Sequence, residues 1–158
     1  MSSFEKVSLN QWVKDGGNQE DYLNVIIPKR ATSGSAGYDF FSPISVFLKP
    51  GEEIKIATGI KADLPKQSVL LIFPRSGMGF KYFARLANTV GVVDEDYYNN
   101  PGNEGHIFIK IRNEGYIPFQ IESGNAFAQG VIVPYLRMDD EGSDMGLRIG
   151  GMGSTSND

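Results

Sequence analysis

Cysteine is absent from this chain, which removes disulfide staples, thiolate metal sites and a thiol nucleophile at once. A reducing compartment is thereby permitted, and the cytoplasm is the expected location. Positive charge is also in short supply: 15 Lys and Arg stand against 19 Asp and Glu, a formal charge of −4, and that excludes a surface that coats nucleic acid with a basic excess on one face. A free nucleotide remains an admissible ligand. No apolar run approaches the roughly 20 residues that span a bilayer. The opening MSSFEKVSLNQW has no charged start followed by an apolar stretch, so neither a membrane span nor a leader is expected. Histidine occurs once, as His106 in a strand-like run, and is expected to be structural.

What is present describes one domain. The 158 residues suffice to bury about two thirds of the surface of the unfolded chain. Nineteen Gly and eight Pro are scattered between short apolar segments rich in β-branched and aromatic residues, the pattern of an all-β sandwich or barrel. Strands are expected at 25–27, 38–41, 46–48, 53–60, 69–73, 89–93, 106–112, 117–121 and 127–135. In the run from His106 to Arg112, Ile107, Ile109 and Ile111 share one face while Lys110 and Arg112 point the other way, as in a half-buried antiparallel strand.

One helix is expected at 8–15, capped by Ser8 with Gln11 three residues on and stopped by Gly16-Gly17. It belongs to a segment, 1–24, that reads as an N-terminal appendage to a β domain at 25–137. Residues 76–83 allow one or two helical turns starting at Ser76, where free backbone N–H groups could receive an anion. The tail 138–158 is first acidic and then glycine-rich with one Arg and two hydroxyls. Such a segment is either a disordered end or an arm that closes over a polyanion, with glycines letting amides approach phosphates and Arg148 pairing with them.

Five segments stand in order along the chain: Ala36-Gly37-Tyr38-Asp39-Phe40, Pro74-Arg75-Ser76-Gly77-Met78-Gly79, Asn88-Thr89-Val90-Gly91-Val92-Val93-Asp94-Glu95-Asp96-Tyr97, Gly124-Asn125-Ala126-Phe127-Ala128-Gln129, and Arg148-Ile149-Gly150-Gly151-Met152-Gly153-Ser154-Thr155. Together they resemble the five motifs of the trimeric deoxyuridine triphosphate nucleotidohydrolases (dUTPases), over about residues 25 to 156. The resemblance implies a distorted jelly-roll β-barrel with an exchanged C-terminal arm. It also implies a homotrimer whose active sites lie between subunits, and Mg²⁺-dependent hydrolysis of dUTP to dUMP and pyrophosphate, which removes dUTP and supplies dUMP for thymidylate synthesis.

Roles follow motif by motif. Hydrolysis of a phosphoanhydride needs a water aligned with phosphorus and a base to take its proton, and a carboxylate on a rigid hairpin supplies both; the resemblance gives that role to Asp94. Tyr97 is implied to pack under the deoxyribose, while Asn88 and the backbone at Gly91 read the uracil edge and Phe108 either walls that pocket or serves the core. Ser76, with Gly77 beside it, is implied to donate to the α,β-bridging region, Arg75 to organise the phosphates and Asp39, and Gln129 to reach the α-phosphate and the water. Arg148, Gly153, Ser154 and Thr155 are implied to hold the γ-phosphate region when the arm closes, with Met152 covering the base. Mg²⁺ would ride on the triphosphate and meet Asp39 through water.

Two features depart from the family pattern. Met152 stands where an aromatic ring normally covers the base, with Arg148 four residues before it instead of five, and residues 98–103 are extra, reading as a longer surface turn. Two other functions stay open on the sequence. A dCTP deaminase of the same superfamily would carry a second Arg where Phe80 stands, and a nucleotide-gated binding protein would use the 98–103 turn or the N-terminal segment against a regulatory protein partner.

Overall fold

The computed structural model describes residues 1–139, 146 and 148–151. The fold is all-β and jelly-roll-like, with twelve short strands and two short α-helices among the described residues. In chain order the strands are β1 (Ser3–Lys6), β2 (Lys29–Arg30), β3 (Tyr38–Phe41), β4 (Val46–Leu48), β5 (Glu53–Ala57), β6 (Ile60–Asp63), β7 (Ser68–Pro74), β8 (Ala84–Leu86), β9 (Gly91–Val93), β10 (Phe108–Asn113), β11 (Phe119–Ile121) and β12 (Ala126–Pro134). Helix α1 spans Leu9–Lys14 and α2 spans Ser76–Tyr82. Among the described residues no helix is long and apolar enough to cross a membrane.

The largest sheet runs β2-β3-β12-β7-β9, and beside it lie β5-β10-β8, β1-β6 and β11-β4. In the β10 region the expected alternation is realised: Ile107, Ile109 and Ile111 are buried, whereas Lys110 and Arg112 are exposed. Each such isoleucine contributes roughly 1.5–3 kcal/mol relative to exposure. They meet Phe40, Ile56, Leu70, Ile72, Phe119 and Phe127 in one continuous cluster. Strand β12 carries an irregularity between Ala126 and Ala128, so Phe127 and Ala128 are both wholly buried although they are adjacent; a bulge turns successive side chains to one face. The next side chain, Gln129, is thereby aimed out of the core.

Several expected strands are resolved differently. The segment at 53–60 breaks into β5 and β6 at Gly59, whose φ of +72° belongs to the left-handed region that glycine tolerates. Residues 25–27 form no strand, and Val25 instead plugs the core with its methyls against Gly59. The first residues carry a strand that the sequence did not announce, β1, paired antiparallel with β6.

Beyond β1, the N-terminal segment packs into the same apolar cluster through Val7 and Trp12. Ser8 caps α1 by accepting from the Gln11 N–H at 3.1 Å. The reciprocal half of the capping box comes from elsewhere: the Ser8 N–H and hydroxyl both donate to Glu104, at 2.9 and 2.6 Å, while Gln11 reaches Asp15. Burial pushes the Glu104 carboxyl up, but the two Ser8 bonds, with Lys61 and His106, outweigh it and hold the group below its ordinary value. His106 is wholly buried; its Nε2 accepts from the Gly59 N–H at 2.9 Å, which leaves Nδ1 to donate to Asp15 at 2.6 Å. Burial lowers its pKa, with Asp15 pulling partly back.

Candidate active site

The register of β12 assembles the first cluster. Gln129 lies opposite Asp39 on β3 and opposite Phe73 on β7, so the first, second and fourth motifs converge where β7 gives way to α2. The result is a cleft of about 780 Å³ lined by Gly37, Asp39, Arg75, Ser76, Gly77 and Gln129, among others. Gly37 leaves room for the Gln129 amide in its present position: a Cβ there would stand 2.7 Å from Gln129 Oε1 and push that end of the side chain aside. The Gln129 amide donates to the Pro74 carbonyl at 3.3 Å, and the Arg75 Nε lies 3.2 Å from Asp39. Arg75 begins α2 without any side-chain cap, and a first turn without a cap presents backbone N–H groups to whatever enters.

Lys81 and Tyr82 also line this cleft, which the sequence reading did not foresee. The signal was available, because Lys81 follows Gly77 by four residues on a helix and so shares its face. Chemically, the cleft offers one carboxylate, two cations and several amide donors, a set suited to phosphate oxygens.

The third motif gathers elsewhere. Strand β9 pairs with β7 through Leu70↔Val93, Leu71↔Val92 and Ile72↔Gly91, which puts Asp94 beside the Val69 end of β7. Arg75 follows Val69 by six residues, and at ~3.3 Å per residue the two motifs lie roughly 20 Å apart along the strand. Asp94 and Asp96 both pair with Arg148, the latter at 3.1 Å, while Glu95 turns away to the Gln67 N–H and Arg137. The three acidic side chains therefore do not converge, and among the described residues no group of three or more His, Asp or Glu is arranged to hold a metal ion.

Tyr97 is buried, with the Arg148 guanidinium 5.4 Å over its ring. Arg148 thus stands on the carboxylates and the ring, away from Arg75 and Ser76. Met152, Gly153, Ser154 and Thr155 lie outside the described residues. Asn88 and Phe108 share a second recess, of about 500 Å³, with Lys55, Ala87 and Lys110. The Phe108 ring sits 4.4 Å from His106 and beneath Lys55, so it serves both the recess and the packing.

Comparison with known proteins points one way. A family model described as dUTPase matches residues 24–154. The deoxyuridine 5'-triphosphate nucleotidohydrolase of Lactococcus lactis subsp. lactis is 46% identical over 130 residues, 82% of this chain and 87% of its own. The crystal structure of dUTPase from Streptococcus mutans has a TM-score of 0.69 at 36% identity and covers 87% of this chain and 98% of its own. A mutant dUTPase from phage phi11 of S. aureus, solved with a coordinated structural Mg(II) ion, shares the fold with a TM-score of 0.67 at 23% identity, over 92% of this chain and 97% of that one.

Proposed function

Because this chain belongs to the dUTPase family, we propose that it is a dUTP diphosphatase in which Asp94 activates a water for attack on the α-phosphorus, at sites shared between the subunits of a homotrimer. The observation that carries the shared site is the separation along β7. The cleft around Arg75 and Ser76 and the Asp94–Tyr97 corner lie roughly 20 Å apart on one strand, too far for a single nucleotide to engage both on the same chain. A second copy that brings its Asp94 corner to the cleft removes the difficulty.

In the assembled site Asp94 takes the proton of the attacking water, new bonding to the α-phosphorus forms, and the α–β bridging oxygen leaves with pyrophosphate. Ser76 donates toward that bridging oxygen, Arg75 and the amides at Ser76 and Gly77 neutralise the leaving charge, and Gln129 orients the water. General-base assistance of this kind contributes about 10²–10⁴ in rate. Arg148 leaves Asp94 and Asp96 for the phosphates as substrate arrives, which frees the base. Met152, Gly153, Ser154 and Thr155 then complete the arm over the nucleotide.

Base and sugar are read at the third motif. Asn88 and the Gly91 backbone meet the uracil edge beside Phe108, and Tyr97 underlies the deoxyribose. The cleft fits a substrate-carried Mg²⁺: it offers the single carboxylate Asp39, already against Arg75, and Mg²⁺ usually keeps waters and takes phosphate oxygens. Bound that way, with Asp39 reaching it through water, the ion would neutralise triphosphate charge. The absence of cysteine accords with work in the cytoplasm, where removal of dUTP supplies dUMP.

The test is pyrophosphate release from dUTP, dCTP, dTTP and UTP side by side, with and without Mg²⁺, together with sedimentation to count subunits. Release confined to dUTP and abolished by chelation is expected. Equal release from all four nucleotides, or full turnover by a monomer, would overturn this reading.

A further inference from the structure

The extra residues 98–103 read in sequence as a surface turn, yet they wrap Tyr97. Asn100 is buried; its Nδ2 donates to the Tyr97 carbonyl at 2.8 Å and its Oδ1 accepts from the N–H groups of Gly102 and Asn103 at 3.0 and 3.1 Å. Asn103 closes the loop. Its Oδ1 accepts from Asn100 Nδ2 at 2.8 Å and from the Gly105 N–H at 3.0 Å, while its Nδ2 donates to the Tyr97 hydroxyl at 2.8 Å. That hydroxyl in turn donates to the His106 carbonyl at 2.8 Å. The chain crosses so closely that a Cβ at Gly105 would lie 2.6 Å from the Tyr97 carbonyl oxygen. On its other side Asn103 meets the arm, since a Cβ at Gly151 would stand 3.1 Å from Asn103 Nδ2.

We propose that Asn103 is a positioning residue for sugar discrimination, holding the Tyr97 ring by its hydroxyl so that the ring cannot retreat from a ribose 2′-hydroxyl. The inference rests on Tyr97 being the platform under the deoxyribose. An apolar surface alone rejects an added hydroxyl by only about a hundredfold, and steric rejection beyond that depends on the wall not yielding. Tyr97 is pinned at both ends, by Asn100 at its carbonyl and by Asn103 at its hydroxyl, so the turn supplies the stiffness that the packing of one ring lacks. One net hydrogen bond is worth about a fivefold factor.

The experiment measures kcat and KM for dUTP and UTP in the full-length protein and in Asn103→Ala, Tyr97→Phe and the Tyr97→Phe/Asn103→Ala double variant, with melting temperatures alongside. Tyr97→Phe removes only the hydroxyl that Asn103 holds and leaves Asn103 bonded to Asn100 and Gly105, so it carries the test if the alanine variant fails to fold. The selectivity for dUTP over UTP should fall about fivefold in Asn103→Ala and in Tyr97→Phe, through a lower KM for UTP. In the Tyr97→Phe background Asn103→Ala should add nothing further, because the hydroxyl it holds is already gone. Unchanged selectivity in Tyr97→Phe, or effects of the two substitutions that multiply, would overturn the proposal while leaving the Tyr97 ring as the platform. A native protein with no preference for dUTP over UTP would instead remove the platform itself.

Discussion

Replacing Asp94 by Asn separates chemistry from architecture, because the structure assigns that carboxylate almost no structural work. Asp94 precedes the turn Glu95–Tyr97 without capping it by any side-chain hydrogen bond, and its side chain is half-exposed, at 49%. Its one described partner is Arg148, and an ion pair with so exposed a member is worth at most about 1 kcal/mol. The amide is nearly isosteric, so folding stability should move by no more than that. Turnover should fall by at least about a hundredfold, the lower end of general-base loss, which corresponds to about 2.7 kcal/mol of barrier. Asp96→Asn is the internal control, since Asp96 shares the Arg148 contact and lacks the proposed role. The assay is steady-state pyrophosphate release at saturating dUTP, with thermal unfolding on the same samples. Turnover within a fewfold of native in Asp94→Asn, or equal losses in the two variants, would refute Asp94 as the base.

Three further outcomes are expected. Trp12→Ala should cost about 3–5 kcal/mol in urea denaturation, since the indole is buried and its Nε1 donates to the Asn18 carbonyl; a loss under about 1 kcal/mol would show the N-terminal segment melts apart from the barrel. Stability should fall as pH drops from about 6.5 toward 5: buried His106 is held below its ordinary pKa, so the unfolded chain binds that proton first. Glu53 and Glu104, held low by their partners, contribute losses only at more acid pH, and a flat melting temperature over the upper window would contradict the His106 assignment. A chain ending at Leu147 should keep its melting temperature and lose turnover, and full activity in that truncation would make the arm dispensable.

The sequence was most informative where local chemistry and packing agree. Strands β3 and β4 occupy the expected positions, because short apolar and aromatic runs bounded by Gly, Ser and Pro leave little room for their ends to shift. Strand β1 escaped notice since Ser3-Phe4-Glu5-Lys6 has a single apolar residue and owes its form to pairing with β6. The strand expected at 53–60 breaks where Gly59 takes a positive φ with Val25 packed against it, a contact from a distant part of the chain that local pattern does not show. At the candidate site, the motif residues Asp39, Arg75, Ser76 and Gln129 do line one cleft. The roles of Asn100 and Asn103 were illegible, because a polar turn and a brace have the same composition and differ only in where their amides point.

The distance between the two ends of β7 has a genetic consequence. On the proposed assembly, a chain carrying Asp94→Asn and a chain carrying Arg75→Ala are wounded at different corners, and each corner is matched with one from a neighbour. Co-folding the two inactive proteins would therefore regenerate some unblemished pairings and recover part of the turnover that neither parent has. An allele wounded at one corner, expressed beside a normal one, would by the same logic silence only its own share of the sites, whereas an allele wounded at both corners would silence more than its share.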